Sequence, residues 1–206
     1  MDRMRPFLEV QLNNGLMAKH VIINVGRQFG SGGKDVAEAL GRKLGIPVYD
    51  EELLAKAAEA SGISEAMFRD RDEKKNFFNL GLSRNDDTIF KIQSDTIRSI
   101  AEQGSAIFIG RASDYVLRDM KCLDVFICSP LDFRIKRVSD HLGISVDEAE
   151  KLIIKTDRSR ESYYNFFTFS NWGVASNYDL CLDASLLGIE NTADFIIEFG
   201  RSVGIL

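Results

Sequence analysis

The chain has 206 residues, 45% of them apolar and 28% charged, with a formal net charge of −5. That length suits one domain with a sizeable buried core, and the acidic balance argues against a general nucleic-acid surface. No apolar run approaches the roughly 20 residues of a membrane span, and Met1-Asp-Arg-Met-Arg-Pro6 lacks the layout of a signal peptide, so a cytoplasmic protein without membrane or nucleic-acid partners is expected.

In chain order, residues 1–18 read as an N-terminal extension ahead of a single domain over 19–206. Val21–Val25 is the first expected strand. After a glycine-rich turn, Val36, Leu40 and Leu44 recur at four-residue spacing and mark the buried face of a helix ending near Gly45. Ile46–Asp50 reads as a short strand, with Pro47 placing it at a sheet edge or strand start. A helix is expected over 51–61, stopped by Gly62, and another over 87–103, stopped by Gly104. Between them lies a polar stretch with the charge run Arg69–Lys75 and then Phe77-Phe78. That run is either a solvated helix face or a mobile arm that closes over a second substrate.

Ala106–Gly110 and Leu123–Cys128 are continuous apolar strands of the kind a sheet covered on both faces produces. Ser129-Pro130 starts a helix that closes at Gly143, and Ser145-Val-Asp-Glu148 has the capping-box pattern that opens the next. Tyr178–Asp183 is the last expected strand and 189–202 the closing helix. Cys122, Cys128 and Cys181 have no metal-type spacing, and the latter two lie in apolar runs, which predicts buried, reduced thiols. This alternation predicts an α/β fold, a mainly parallel sheet with helices on both faces. Ligands in such sheets bind at the carboxyl ends of the strands, where the 26–35 loop, Gly110-Arg111 and Ser129 should meet.

Three features carry chemistry. Between the first strand and helix, Gly30, Ser31, Gly32, Gly33 and Lys34 form a glycine-rich turn with a lysine. Such a turn presents backbone N–H groups and a helix N-terminus to phosphate oxygens, though a tight turn alone would also use glycines. Against the consensus G-x-x-x-x-G-K-[ST], Gln28 stands at the first glycine and Asp35 at the hydroxyl residue. The second feature is Arg111 at the end of a buried strand, poised to fork onto a phosphate or carboxylate. The third is the basic segment Lys155, Arg158 and Arg160, which follows Arg134 and Arg137. It would supply the positive charge and water exclusion that phosphoryl transfer requires.

The chain resembles the cytidylate kinase-like group of P-loop nucleoside monophosphate kinases over roughly residues 20–200. The resemblance rests on Gly26–Lys34, Val48-Tyr-Asp-Glu-Glu-Leu53, Ile107–Leu117, Asp157–Tyr164 and Asn177–Ser185. It implies a five-stranded P-loop core, a monophosphate-binding arm at about 50–100 and a lid at about 138–170. The implied reaction moves the γ-phosphoryl group of ATP to a nucleoside monophosphate, CMP or dCMP, with Mg2+. In these terms Gly30–Asp35 hold the ATP phosphates, and Lys34, Arg111, Arg158 and Arg160 are catalytic. Arg137 lies on the adenine side, Asp50, Arg111 and Asp114 bind the acceptor, and Asp35 is a metal ligand. Ile109 and Ala112 stand where the family carries acids. A nucleotide-binding module without turnover, or a kinase of another small phosphorylated acceptor, are the alternatives.

Overall fold

The computed structural model describes residues 20–60, 62 and 86–206. The N-terminal extension and the charge run with Phe77-Phe78 lie outside the described residues, as does the middle of the expected arm.

Five strands, all parallel, make one sheet: β1 (Ile22–Arg27), β2 (Val48–Tyr49), β3 (Ala106–Ile109), β4 (Leu123–Cys128) and β5 (Leu180–Asp183). Their spatial order is β2-β3-β1-β4-β5. β1 is central, with Ile23 level with both Ile107 and Leu123, and Ile22, Ile23 and Val25 are all buried.

Because alternate strand residues face opposite ways, β1 feeds two cores. Ile23 and Val25 pack with Val36 and Leu40 of α1 (Gly33–Leu44) and with Ala193 and Ile196 of α7 (Ala184–Ser202). Ile22 and Phe108 pack on the other face with Leu54 of α2 (Glu51–Ala60), Ile97 and Ala101 of α3 (Asp86–Gln103), and Val116 of α4 (Ser113–Val116). Helices therefore cover both faces, as the sequence pattern predicts.

A third, smaller cluster of Val138, Ala149 and Ile153 joins α5 (Leu131–Leu142) to α6 (Val146–Thr168). α6 is one 23-residue helix. Its start is fixed by the expected capping box: the Ser145 hydroxyl accepts from the Glu148 N–H, and the Glu148 carboxylate accepts from the Ser145 N–H at 2.9 Å. The expected lid thus corresponds to the end of α5, a turn at Gly143 (φ 66°) and α6.

Two expectations need correction. The closing helix begins at Ala184, five residues early, because the Asp183 carboxylate caps it by accepting from the Ser185 N–H, and the pattern is then interrupted by a kink at Gly188 (φ 74°, ψ 170°). Cys181 is exposed rather than buried, since β5 is an edge strand, and Cys128 is half-buried. No helix among the described residues is long and apolar enough to cross a membrane.

Candidate active site

The glycine-rich segment runs from the end of β1 into α1. Gly32 caps α1 at φ 86°, a conformation that favours glycine, and a Cβ there would lie 2.7 Å from Ile189 Cδ1. Ser31 is buried, and its hydroxyl donates to the carbonyls of Gln28 (2.9 Å) and Ile127 (3.1 Å). It serves to tie the loop to β4. Phe29 is held by Asp157 of α6, whose Oδ1 accepts from the Phe29 N–H at 2.7 Å. Buried Arg134 completes the clamp, donating to Asp157 Oδ2 (2.6 Å), to the Phe29 carbonyl (3.2 Å) and to the Ser129 carbonyl (3.0 Å). Among the described residues, none accepts a hydrogen bond from the N–H groups of Gly30, Gly32, Gly33, Lys34 or Asp35. A loop fixed from outside, with its own donors uncommitted, is built to receive an anion.

A cavity of about 880 Å³ opens beside this loop, lined by Lys34, Asp50, Arg111, Lys155 and Arg158 among others. Lys34 Nζ donates to Asp50 Oδ2 at 2.9 Å. This hydrogen bond raises the Lys34 ammonium above its usual range. At Asp50 burial works upward, but the Lys34 bond and the Leu53 N–H outweigh it and hold the carboxyl below the ordinary value.

Arg111 leaves β3 through three consecutive left-handed residues, Gly110 (φ 67°), Arg111 (φ 59°) and Ala112 (φ 53°). Two of these are not glycine, a strained arrangement of the kind concentrated at functional sites. The guanidinium is held on three sides. It donates to Gln93 Oε1 through Nε (3.1 Å) and Nη2 (2.9 Å), pairs with Glu51 at 3.3 Å, and lies 4.3 Å over the Tyr163 ring. The Tyr163 hydroxyl donates to the same Gln93 oxygen at 3.0 Å.

The remaining expected site residues divide. Lys155 and Arg158 of α6 line the large cavity with Lys34 and Arg111. Arg160 turns to the strand side, donating to the Arg27 carbonyl at 3.1 Å, and burial lowers its pKa. Asp35 and Arg137 face each other, with Arg137 Nη2 donating to Asp35 Oδ2 at 2.7 Å, and neither lines the large cavity. Asp114 lies in an adjoining pocket of about 220 Å³ that shares Arg27 and Arg111 with the large cavity, and there it accepts from the Tyr164 hydroxyl at 2.7 Å. Burial raises its carboxyl above the usual range.

The profile of the cytidylate kinase-like family matches residues 22–186. The chain belongs to the cytidylate kinase-like family. It is 28% identical over 173 residues to a cytidylate kinase of Sulfolobus acidocaldarius, covering 82% of this chain and 87% of that one. With a cytidylate kinase of Methanobrevibacter smithii it shares 30% identity over 179 residues, covering 86% and 96%. An uncharacterised Eubacterium ventriosum protein of known structure superposes with a TM-score of 0.72 at 30% identity, over 88% of this chain and 99% of that one. The adenylylsulfate (APS) kinase of Mycobacterium tuberculosis, at 20% identity and a TM-score of 0.51 over 89% and 98%, shares the fold. Membership places the protein among the P-loop kinases of nucleoside monophosphate type.

For this cytidylate kinase-like protein, sequence reading missed Arg27, Gln93, Glu51 and Tyr163. Gln93 and Tyr163 come from α3 and α6, and only the packed fold brings them to Arg111. Arg27 did leave a signal: Gly26-Arg27 ends β1 as Gly110-Arg111 follows β3.

Proposed function

We propose that the protein transfers the γ-phosphoryl group of ATP to a nucleoside monophosphate, CMP or dCMP. The observation that carries this reading is the strained, three-point fixation of Arg111 in a cavity shared with Lys34, the residue that follows the loop glycines. The loop amides from Gly30 to Asp35 would receive the ATP phosphates. Arg111 would fork onto the acceptor phosphate, whose oxygen attacks the γ-phosphorus while the bond to the β–γ bridging oxygen breaks, leaving ADP. Lys155 and Arg158 in the cavity, with Arg160 beside it, would offset the negative charge spread over the moving group.

Mg2+ typically takes one or two carboxylates and completes its shell with phosphate oxygens and water. One carboxylate of this kind is present: Asp50 faces the cavity beside Lys34. Asp50 would hold the ion. Asp35, which lies outside the cavity lining, is the weaker fit. When bound, the ion would neutralise phosphate charge and fix the geometry of the triphosphate.

A coupled ATP-consumption assay over a panel of monophosphates and other acceptors tests the reading. Turnover confined to CMP or dCMP is expected, and tight ATP binding with no turnover on any acceptor would overturn it. In the same assay Arg111→Lys should lose about 10²–10³ in kcat/KM, with the acceptor KM raised, because a point charge cannot make the bidentate fork.

A further inference from the structure

Arg27, the last residue of β1, is not used by the reading above, yet its placement is specific. β1 and β3 are neighbours paired through Val25 and Ile109, so the two Gly-Arg pairs leave the sheet side by side. From there the Arg27 side chain lies across two glycines. A Cβ on Gly33 would overlap the Arg27 Cβ, and a Cβ on Gly110 would overlap Arg27 Nη1. Gly33 opens α1, so the stem of Arg27 fills the space that a side chain at the first helical position would occupy.

The loop consensus places its lysine directly after its second glycine. With Gly32 at the helix cap as that glycine, position 33 has no side chain, Arg27 stands where the first glycine belongs, and Lys34 comes one residue late. The helix boundary therefore sets a register one residue earlier than the Gly33-Lys34 pair suggests. In this register the loop has lost both its first glycine and its lysine, and one arginine occupies the space of both.

Arg27 lines both cavities. Among the described residues, no side chain or carbonyl forms a hydrogen bond or ion pair with its guanidinium. Burial, then the charges of Arg160 and Arg111, pull it down to about 9 against the opposing pull of Glu51 and Asp50, so it still carries its charge at neutral pH. A cation without a hydrogen bond or ion pair among the described residues, where burial and two like charges outweigh the attraction of Glu51 and Asp50, is unfavourable until an anion arrives.

We propose that Arg27 is the inner cation of the phosphate loop: it contacts the transferring phosphoryl group from the strand side, between the loop and Arg111, while Lys34 with Asp50 stands at the mouth. This rests on the phosphotransfer reading, and the test separates the two. Binding of inorganic tripolyphosphate to the free protein, measured by calorimetry, should weaken about ten- to a hundred-fold in Arg27→Met, the range of a lost charge-assisted hydrogen bond. The loss in Lys34→Met should be smaller. The melting temperature of unliganded Arg27→Met should be unchanged or higher, because the methionine stem keeps the packing on Gly33 and the lost charge was opposed more by burial, Arg160 and Arg111 than it was favoured by Glu51 and Asp50. Turnover with the accepted monophosphate should fall about 10²–10³ in kcat, and Arg27→Lys should recover part of it.

Unchanged tripolyphosphate binding would overturn the proposal. So would a binding loss that only tracks a fall in melting temperature, a larger loss in Lys34→Met, or a wild-type protein that does not bind tripolyphosphate. If wild type binds tripolyphosphate but phosphorylates no acceptor, the phosphotransfer reading fails while the binding comparison still decides the place of Arg27.

Discussion

At the scale of single residues, the sheet interior holds one carboxylate whose titration is legible in stability. Asp124 on β4 accepts from the Asn24 amide at 2.7 Å across the β1–β4 pairing. Burial pushes its carboxyl up to about 6, against the pull of that hydrogen bond and with added repulsion from Asp114 and Asp179. Between the unfolded value near 4 and the folded value near 6, the folded state binds more protons than the unfolded one. Stability from this group therefore falls as pH rises through that window. At about 1.36 kcal/mol per pKa unit the change is ~2–3 kcal/mol. Asp124→Asn should flatten it: in urea unfolding the variant matches wild type near pH 4 and exceeds it by that margin at pH 7. An unchanged slope between pH 4 and 6 would exclude Asp124 as its source. The same scale shows what sequence could not reveal. Arg111 is conspicuous at a strand end, but the Gln93 and Tyr163 groups that hold it come from helices distant in sequence. Arg27 was equally conspicuous by position and went unread because the glycines beside it drew the register to Lys34.

At the scale of elements, the alternation of strands and helices was legible because each carries its own punctuation. Gly45 and Gly143 end α1 and α5 in left-handed conformations (φ 67° and 66°), and the Ser145–Glu148 box opens α6. The edge position of β5 was not legible, since apolar Leu180 and Leu182 read the same in an edge strand as in a central one. Sequence also gave no sign of how α6 attaches to the glycine loop. That attachment runs through Asp157, which serves both the Phe29 N–H and the buried Arg134 guanidinium. The Arg134 side chain is only 9% exposed. Asp157→Ala leaves that charge without its counter-ion and should cost about 3–5 kcal/mol, measured by chemical denaturation. Asp157→Asn, which keeps an acceptor for Phe29, should cost less. Because the loop loses its outer clamp, both variants should also bind tripolyphosphate more weakly than wild type. A loss below about 1 kcal/mol in Asp157→Ala would show that the Ser129 and Phe29 carbonyls hold Arg134 by themselves.

At the scale of the whole molecule, a chain of net charge −5 gathers Arg27, Lys34, Arg111, Lys155 and Arg158 around one cavity at the carboxyl ends of its strands, where Asp50, Glu51, Glu52 and Glu59 offset them only in part. Arg160 stands beside Arg27 on the strand side. Topology explains the convergence: in an all-parallel sheet every strand delivers its next loop to the same edge, so β1 and β3 each contribute an arginine there. The remaining excess of positive charge opposes folding until an anion offsets it, so ligands should stabilise according to their charge. A ligand at a hundred times its Kd adds about 2.7 kcal/mol, and for a chain of this size each kcal/mol moves the melting temperature by roughly 2–4 °C. ATP should therefore raise it by about 5–10 °C when near saturation. At equal concentration tripolyphosphate should retain much of that shift and adenosine little of it. Added salt should shrink the difference as the cleft charges are screened. If adenosine stabilised as well as ATP, base contacts rather than the arginine cluster would hold the nucleotide, and the charged strand edge would lose its assigned part in binding.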